Sequence, residues 1–378
     1  MNLVVLTSSR ADYGIYRPLL MKLDQDPFFQ VALIPFGTHL SKFHGYTIDN
    51  IKKDGFAIQA EVENLLLSDS MNALSNAMGL TMMKFGDLWA TLKGKIDLII
   101  CLGDRYEMFA AVAASVPFNI PVAHLFGGET TLGAIDNKFR HAITLMSDLH
   151  FASTEVYAQR VKELIGHSEG VYNVGSLSMD IMKDFELYTK QEFKERFGID
   201  LQKKSILVTV HPETVSPEAL KTQVAAIAEV FKQIQQQYQI IITMPNADTA
   251  ANTIRQTFSS LEKQYENILC VESFGSIGYL SCMQHVDFLL GNTSSGIIEA
   301  SYFPKYVINV GHRQDGRIRG MHIVDAPFDT AIILDLIKTI EMAGPLEPEW
   351  LFGRGDSAVQ MIAILKNYHR NKTWNLAH

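Results

Sequence analysis

Short unbroken apolar runs recur along this chain, and almost every pair of them is separated by a stretch with helical potential. In the first half the runs are "NLVVLT", "VALIPFG", "IDLIICLG", "PVAHLF", "LHFAS" and "VYNVG". Little in them alternates apolar with polar residues, so each reads as a strand buried on both faces, and such strands belong to parallel sheets. The intervening segments read as helices: one with Pro18 near its start, "TIDNIKKDG", an amphipathic stretch over about residues 70–93, and helices after Asp104, from about Ile135 and from Glu155. Regular βα alternation of this kind predicts a doubly wound α/β sheet.

After "GSLSMD" the pattern starts again with "SILVTV", a long helix from about Ser216-Pro217, then "IIITMP", "ILCVE", "DFLLG" and "YVINVG". A boundary within 176–185 divides the chain into two Rossmann-like domains, 1–178 and 179–355. A final helix in 356–378 is expected to pack back on the first. The expected fold class is α/β, with two parallel-sheet domains facing a cleft. Ligands of such sheets sit outside the carboxyl ends of the strands, so the informative residues should directly follow strands.

With 378 residues, 47% of them hydrophobic and 20% charged, the chain has enough apolar material for two sizeable cores. Its net charge of −8 excludes the broad positive field that binds a nucleic-acid polymer. An anionic ligand must then be held by a few arginines and local backbone amides. Apolar runs such as "IDLIICLG" and "DTAIILDLI" fall far short of a membrane span, and "MNLVVLTSSR" reads as a first strand rather than a signal peptide. Cys101, Cys270 and Cys282 are far apart, without metal-ligand spacing, which fits a reducing, cytoplasmic compartment.

Several strand ends carry residues with chemical potential. Arg10 in "TSSRADYG" can clamp a phosphate or merely flank a Ser-rich helix cap. In "CLGDRYE", Asp104 is either a reacting carboxylate with Arg105 beside it or an N-cap. The segment "AHLFGGETTLGAIDNKFRH" brings together His124, paired glycines, Glu129 and Asp136, which suits closure over a sugar and proton transfer. Its plainer reading is a long polar loop, with Asp136 favouring the dipole of a helix start. His211 after "VTV" can hold a phosphate or protonate a leaving group, although a lone histidine is more often structural. "MPNAD" offers Asn246 and Asp248 to a ligand or to an Asx turn.

The stretch "GNTSSGIIEA" follows an apolar run and joins a tight turn of Gly and small hydroxyl residues to a helix start. That is a seat for an anion, yet it has no lysine and no Walker pattern. Thr293, Ser294 and the amides behind them can wrap a diphosphate. Glu299, expected on the same helix, suits sugar hydroxyls better than a phosphate it would repel. Arg313 in "NVGHRQDGR" supplies positive charge, unless it forms only a basic surface loop with Arg317 and Arg319. Phe274 and Tyr279 in "FGSIGYL", read as a loop before a short helix, can stack on a nucleobase or pack in the core. Each signal is weak alone; together, each at the end of a different strand, they favour a nucleotide-sugar site between two Rossmann-like domains.

In these residues the chain resembles the hydrolysing UDP-N-acetylglucosamine 2-epimerases, which include bacterial enzymes of sialic acid and legionaminic acid pathways. The motifs that carry the resemblance are "SRADYG", "FGTHLS", "GDRYE", "GGETTLGAIDNKFRHAIT", "HPET", "MPNAD" and "GNTSSGIIEA" followed by "YVINVGHRQDGR", in order over about residues 3–320. The resemblance implies a GT-B-like fold, no metal, no redox cofactor and a homodimer or homotetramer. It implies UDP contacts from Arg10, His211, Asn246, Thr293, Ser294, Glu299 and Arg313, with Tyr279 near the uracil and Glu299 on the ribose. Catalytic carboxylates are implied at Asp104 and Asp136, and Arg105 and His124 are counted with the substrate-binding residues. Some relatives carry another acidic residue where this chain has Phe126, and Glu129 is taken as its stand-in.

The implied reaction converts UDP-N-acetylglucosamine and water to N-acetylmannosamine and UDP. The hydrogen on C2 is not acidic, because no carbonyl adjoins that carbon. Departure of UDP from C1 solves this by letting positive charge develop on the ring as the proton leaves. Elimination to a 2-acetamidoglycal is then followed by hydration. The rival readings are the same reaction on a 2,4-diacetamido-2,4,6-trideoxy sugar, a non-hydrolysing epimerase, a GT-B glycosyltransferase and a catalytically silent UDP-sugar sensor.

Overall fold

The computed structural model describes residues 1–66, 68, 70–130, 135–213, 217–245 and 252–377, the side chains of residues 44, 217 and 372–377 excepted. The apolar runs form two six-stranded sheets whose pairings are all parallel. The first holds β1 (Asn2–Thr7), β2 (Gln30–Pro35), β3 (Leu98–Leu102), β4 (Val122–Leu125), β5 (Leu149–Ala152) and β6 (Val171–Asn173), in the order β2-β1-β3-β4-β5-β6. The second holds β7 (Ser205–Thr209), β8 (Gln239–Thr243), β9 (Ile268–Val271), β10 (Phe288–Gly291), β11 (Tyr306–Val310) and β12 (Ile323–Ala326), in the order β12-β11-β10-β7-β8-β9.

Each order has one place where neighbouring strands send their connections in opposite directions. It lies between β1 and β3 in the first sheet and between β10 and β7 in the second. Diverging connections leave a crevice at the carboxyl edge, the place where doubly wound sheets take ligands. The chain divides into two compact units: Met1–Glu129 with Gly133–Asp180 and Gly353–His378, and Thr130–Leu132 with Ile181–Phe352.

In the first unit β1 shows why its residues are apolar without alternation. Leu3 and Val5 enter one core with Tyr16, Leu19 and Leu20 of the helix Arg10–Asp24, and with Ala358, Met361 and Leu365 of the helix Ser357–Ala377. Val4 and Leu6 enter another with Phe85 and Trp89 of the helix Met71–Leu92. Successive side chains leave a strand on opposite faces, so a sheet covered on both sides needs both sets apolar. Trp89 is fully buried, and its indole N–H donates to the Ala111 carbonyl at 2.9 Å. The last helix is fastened at its start by Asp180, whose carboxylate accepts the N–H groups of Ser357 and Ala358 at 3.0 and 2.8 Å. These are helix-start donors with no partner inside the helix, and a carboxylate also suits the positive end of the dipole.

In the second unit Ile206, Val208, Ile240, Ile242, Leu290 and Ile308 pack against Phe231 of the helix Pro217–Ile234, Phe258 of Asn252–Glu262 and Ile333 of Thr330–Met342. Gly291 ends β10 at the divergence with φ +151°, and a Cβ there would lie 2.0 Å from the Thr209 carbonyl oxygen on β7. Only glycine lets the two strands come this close in that conformation.

Two local expectations are corrected. Tyr279 lies inside the helix Gly275–His285, and Phe274 is its N-cap, packed on the rings of Phe193 and Phe197 at 5.1 and 4.9 Å. The segment contains no proline and buries Leu280 and Met283, so it completes a helix rather than a loop. The helix expected to run from the "GNTSSG" turn through Glu299 is a single α turn, Ser294–Ile297, followed by a separate 3₁₀ turn, Glu299–Ser301. Gly296 and the β-branched pair Ile297-Ile298 are poor helix formers, and the chain breaks there.

Candidate functional site

At the end of β1 the turn is closed by the chain's own carboxylate. Asp12 accepts the N–H groups of Ser8, Ser9 and Tyr13 at 2.7, 2.9 and 2.8 Å, and the hydroxyls of Thr7 and Ser8 at 3.0 Å. These amides, which would otherwise suit an external anion, are thereby engaged. Arg10 opens the following helix and is exposed.

At the end of β3, Asp104 is no N-cap. That position belongs to Arg105, which makes no side-chain capping bond. Asp104 is instead paired with Arg140, whose side chain is 4% exposed. Arg140 also donates to the Glu129 carbonyl at 2.7 Å and to Asn137 Oδ1 at 3.0 Å. Glu129 is itself buried and accepts the Ser153 hydroxyl at 3.0 Å. Asp136 opens the helix Asp136–Leu145 one turn before Arg140, so the two share a helix face. One buried guanidinium therefore links Asp104 to the Glu129 backbone and to the helix that carries Asp136. Nothing in the sequence singles out Arg140, which reads as one more charge on an amphipathic helix.

Arg105 pairs through Nε with Glu107, while its side chain remains 45% exposed. Glu107 is fully buried, and among the described residues its Oε2 has no hydrogen-bond partner. Burial raises the Glu107 pKa and the Arg105 charge opposes that rise. His124 is a correction: it is wholly buried on β4, and both ring nitrogens are engaged. Nε2 lies 2.8 Å from the Gly103 carbonyl and Nδ1 lies 3.1 Å from the Thr144 hydroxyl. Burial lowers its pKa to about 3, so it is neutral, with Nε2–H donating to Gly103. It braces the turn before Asp104, with neither ring nitrogen left open to a ligand in this structure.

The second divergence is built differently. Asn292, fully buried after β10, clasps the backbone of His211: its Oδ1 accepts the His211 N–H at 2.7 Å and its Nδ2 donates to the His211 carbonyl at 2.9 Å. This ties the turn after β7 to the turn after β10. Thr293 caps the short helical turn, its Oγ1 accepting from the Ser295 N–H at 3.4 Å, and Ser294 is the first residue of that turn. Arg313, half-buried after β11, donates from Nη1 to the Asn292 carbonyl at 3.0 Å, beside the Thr293–Ser294 turn. Glu213 accepts the N–H groups of His312 and Arg313 at 2.7 and 2.9 Å. Arg319 pairs with Asp325 at 3.1 Å and donates to the Gln314 carbonyl at 2.7 Å, so it shapes the loop.

Burial, with the charge of Arg313 adding to it, lowers the His211 pKa to about 4. At neutral pH the ring is therefore neutral, a hydrogen-bond donor to an anion rather than a ready acid; a bound diphosphate acts in the opposite direction and raises its proton affinity. The Tyr279 hydroxyl lies 3.3 Å from Thr209 Oγ1, and the residue lines a small cavity with Thr209, Gly291, Thr293 and Gly296. Glu299 is half-buried in the 3₁₀ turn beyond. Asn246 and Asp248 fall outside the described residues. Among the described residues, no group of three or more His, Cys, Asp or Glu is placed to hold a metal ion, and no helix is long and apolar enough to cross a membrane.

The first unit thus presents carboxylates oriented by a cation, which suits proton transfer. The second presents an arginine beside a Gly- and hydroxyl-rich turn, which suits an anion. Comparisons with known proteins agree with this chemistry. The family profile described as UDP-N-acetylglucosamine 2-epimerase matches residues 21–366. A polysialic acid biosynthesis protein of Escherichia coli is 34% identical over 333 residues, 88% of this chain and 84% of its own. A GDP/UDP-N,N'-diacetylbacillosamine 2-epimerase (hydrolyzing) of Campylobacter jejuni is 33% identical over 326 residues, 86% of this chain and 84% of its own. The crystal structure of a UDP-GlcNAc 2-epimerase from Neisseria meningitidis bound to UDP-GlcNAc matches with a TM-score of 0.81 at 17% identity, covering 97% of this chain and 100% of its own. That likeness shows the fold to be the GT-B-like pairing of two Rossmann-like domains. The chain belongs to the UDP-N-acetylglucosamine 2-epimerase family.

Proposed function

We propose that this enzyme is a hydrolysing UDP-sugar 2-epimerase that converts UDP-N-acetylglucosamine and water to N-acetylmannosamine and UDP. The observation that carries the reading is Asp104 at the end of β3, held in one orientation by the buried Arg140. A carboxylate of the first unit, Asp104 or Asp136, takes the proton from C2 while the C1–O bond to UDP breaks, leaving a 2-acetamidoglycal. Water then adds its oxygen at C1, and a proton returns to C2 on the opposite face. A positioned general base contributes about 10²–10⁴-fold. Arg313, neutral His211 and the amides of the Thr293–Ser294 turn stabilise the negative charge that gathers on the departing diphosphate, the larger share of the catalysis. Glu299 is assigned to the ribose, and Glu129 has its carboxylate engaged by Ser153, which favours a positioning role over proton transfer.

A second reading concerns the sugar alone. The Campylobacter jejuni relative is named for UDP-N,N'-diacetylbacillosamine, while the Escherichia coli relative is named for polysialic acid, and their identities differ by one point, 33% against 34%. Both UDP-sugars should therefore be offered to the protein in D₂O and followed by proton NMR. Release of free N-acetylmannosamine with deuterium at C2 supports the first reading. Preferential turnover of the diacetamido sugar supports the second, and UDP-N-acetylmannosamine at equilibrium would overturn hydrolysis in favour of a non-hydrolysing epimerase. We also propose a cytoplasmic homodimer or homotetramer; the free thiols, with Cys101 and Cys282 buried, are compatible with that compartment.

A further inference from the structure

We infer that Glu213 is a positioning residue that aims Arg313 at the diphosphate, an inference that rests on the UDP-binding reading above. A carboxylate next to a phosphate seat is repulsive and needs a reason to be there. Glu213 follows β7, and the amides it holds follow β11, two strands that are not neighbours because β10 lies between them. The side chain therefore spans the end of β10, where the Thr293–Ser294 turn begins. Its Oε1 accepts two consecutive N–H groups, from His312 at 2.7 Å and from Arg313 at 2.9 Å.

The sequence is adapted to this clamp. Gly311, with φ +77°, precedes the two amides, and a Cβ there would lie 2.3 Å from Glu213 Oε1. With its backbone fixed by Glu213, Arg313 sends Nη1 to the Asn292 carbonyl at 3.0 Å. Arg313 is thus held at both ends, and its guanidinium stands beside the turn assigned to the diphosphate. Ordering a long side chain before binding removes a conformational cost that the ligand would otherwise have to offset. Glu213 accepts from backbone amides through Oε1, so its task there needs an acceptor oxygen and no transferable proton.

The test combines calorimetric titration with UDP and steady-state kinetics on wild type, Glu213→Gln, Glu213→Ala, Arg313→Ala and the Glu213→Ala/Arg313→Ala double variant, each checked for folding by circular dichroism. An amide oxygen can replace Oε1, so Glu213→Gln should keep UDP affinity within about threefold of wild type. Glu213→Ala should weaken UDP by roughly tenfold, mostly in KM, and the double variant should be little weaker than Arg313→Ala, because the two residues act as one unit. Independent, multiplying losses in the double variant would overturn the inference. So would a loss of kcat at unchanged affinity in Glu213→Gln, the mark of a catalytic carboxylate. A wild-type protein that bound no UDP would overturn the parent reading as well, and is told apart by failing before any substitution is made.

Discussion

At the end of β1 the amides of Ser8 and Ser9 are filled by Asp12, and the guanidinium of Arg140 near the end of β3 is buried against Asp104. At the end of β10 the Thr293 hydroxyl makes a longer internal contact of 3.4 Å with the Ser295 amide, and Arg313 sets its charge beside the neutral Asn292 carbonyl. The two sheets share a winding rule and engage their charged side chains differently at these strand ends. In the first unit cationic charge is engaged in orienting carboxylates; in the second a carboxylate, Glu213, is engaged in orienting a cation. Grip on an anion and proton chemistry on a sugar are conflicting demands, because fixed negative charge repels the diphosphate. In the proposed function they fall to separate strand ends, which lets each be built without weakening the other.

The sharpest way to break this division is to remove one charge from each side. Asp104→Asn and Asp136→Asn should each lower kcat by about 10²–10⁴-fold, the size expected for a general acid or base. UDP affinity, measured by calorimetry, should change less than about threefold in either. Wild-type turnover in both variants would remove the carboxylates from the chemistry. Arg313→Ala should act the other way, weakening UDP about ten- to a hundredfold as a charge-assisted phosphate contact is lost. An unchanged UDP titration would take Arg313 out of the phosphate site.

A smaller effect is expected in acid. His124 stays neutral in the folded protein, its pKa lowered to about 3 by burial, whereas the unfolded chain protonates near 6.5. Its folded-state preference is therefore fully present above about pH 6.5 and is lost as pH falls from there toward about 3, at roughly 1.4 kcal/mol per pH unit. Urea unfolding between pH 6.5 and 5 should show a shallower pH slope for His124→Gln than for wild type. Equal slopes would show that His124 does not titrate as its burial requires.

How far the sequence could be read depends on range. The βα alternation and the strand ends were legible because continuous apolar runs and the residues after them are local signals. The link between Asp104 and Arg140 was not, since it joins residues 36 apart and nothing local marks Arg140 as the residue that turns inward. Glu213 was hidden for the same reason, because the two backbone amides it holds lie 99 and 100 residues away. The misreading of His124 could have been avoided: its place inside the apolar run "PVAHLF" marks a buried strand position, where a histidine must find partners within the core. Tyr279 was misplaced because a Gly- and Ser-containing segment imitates a loop until the packing of Leu280 and Met283 is known.

The division of labour is tested most directly by a crystal structure with UDP bound. The account predicts the diphosphate on the Thr293–Ser294 turn within hydrogen-bond distance of the Arg313 guanidinium, with Glu213 still on the amides of His312 and Arg313. A nucleotide seated elsewhere, leaving Ser294 and Arg313 without contact, would contradict it.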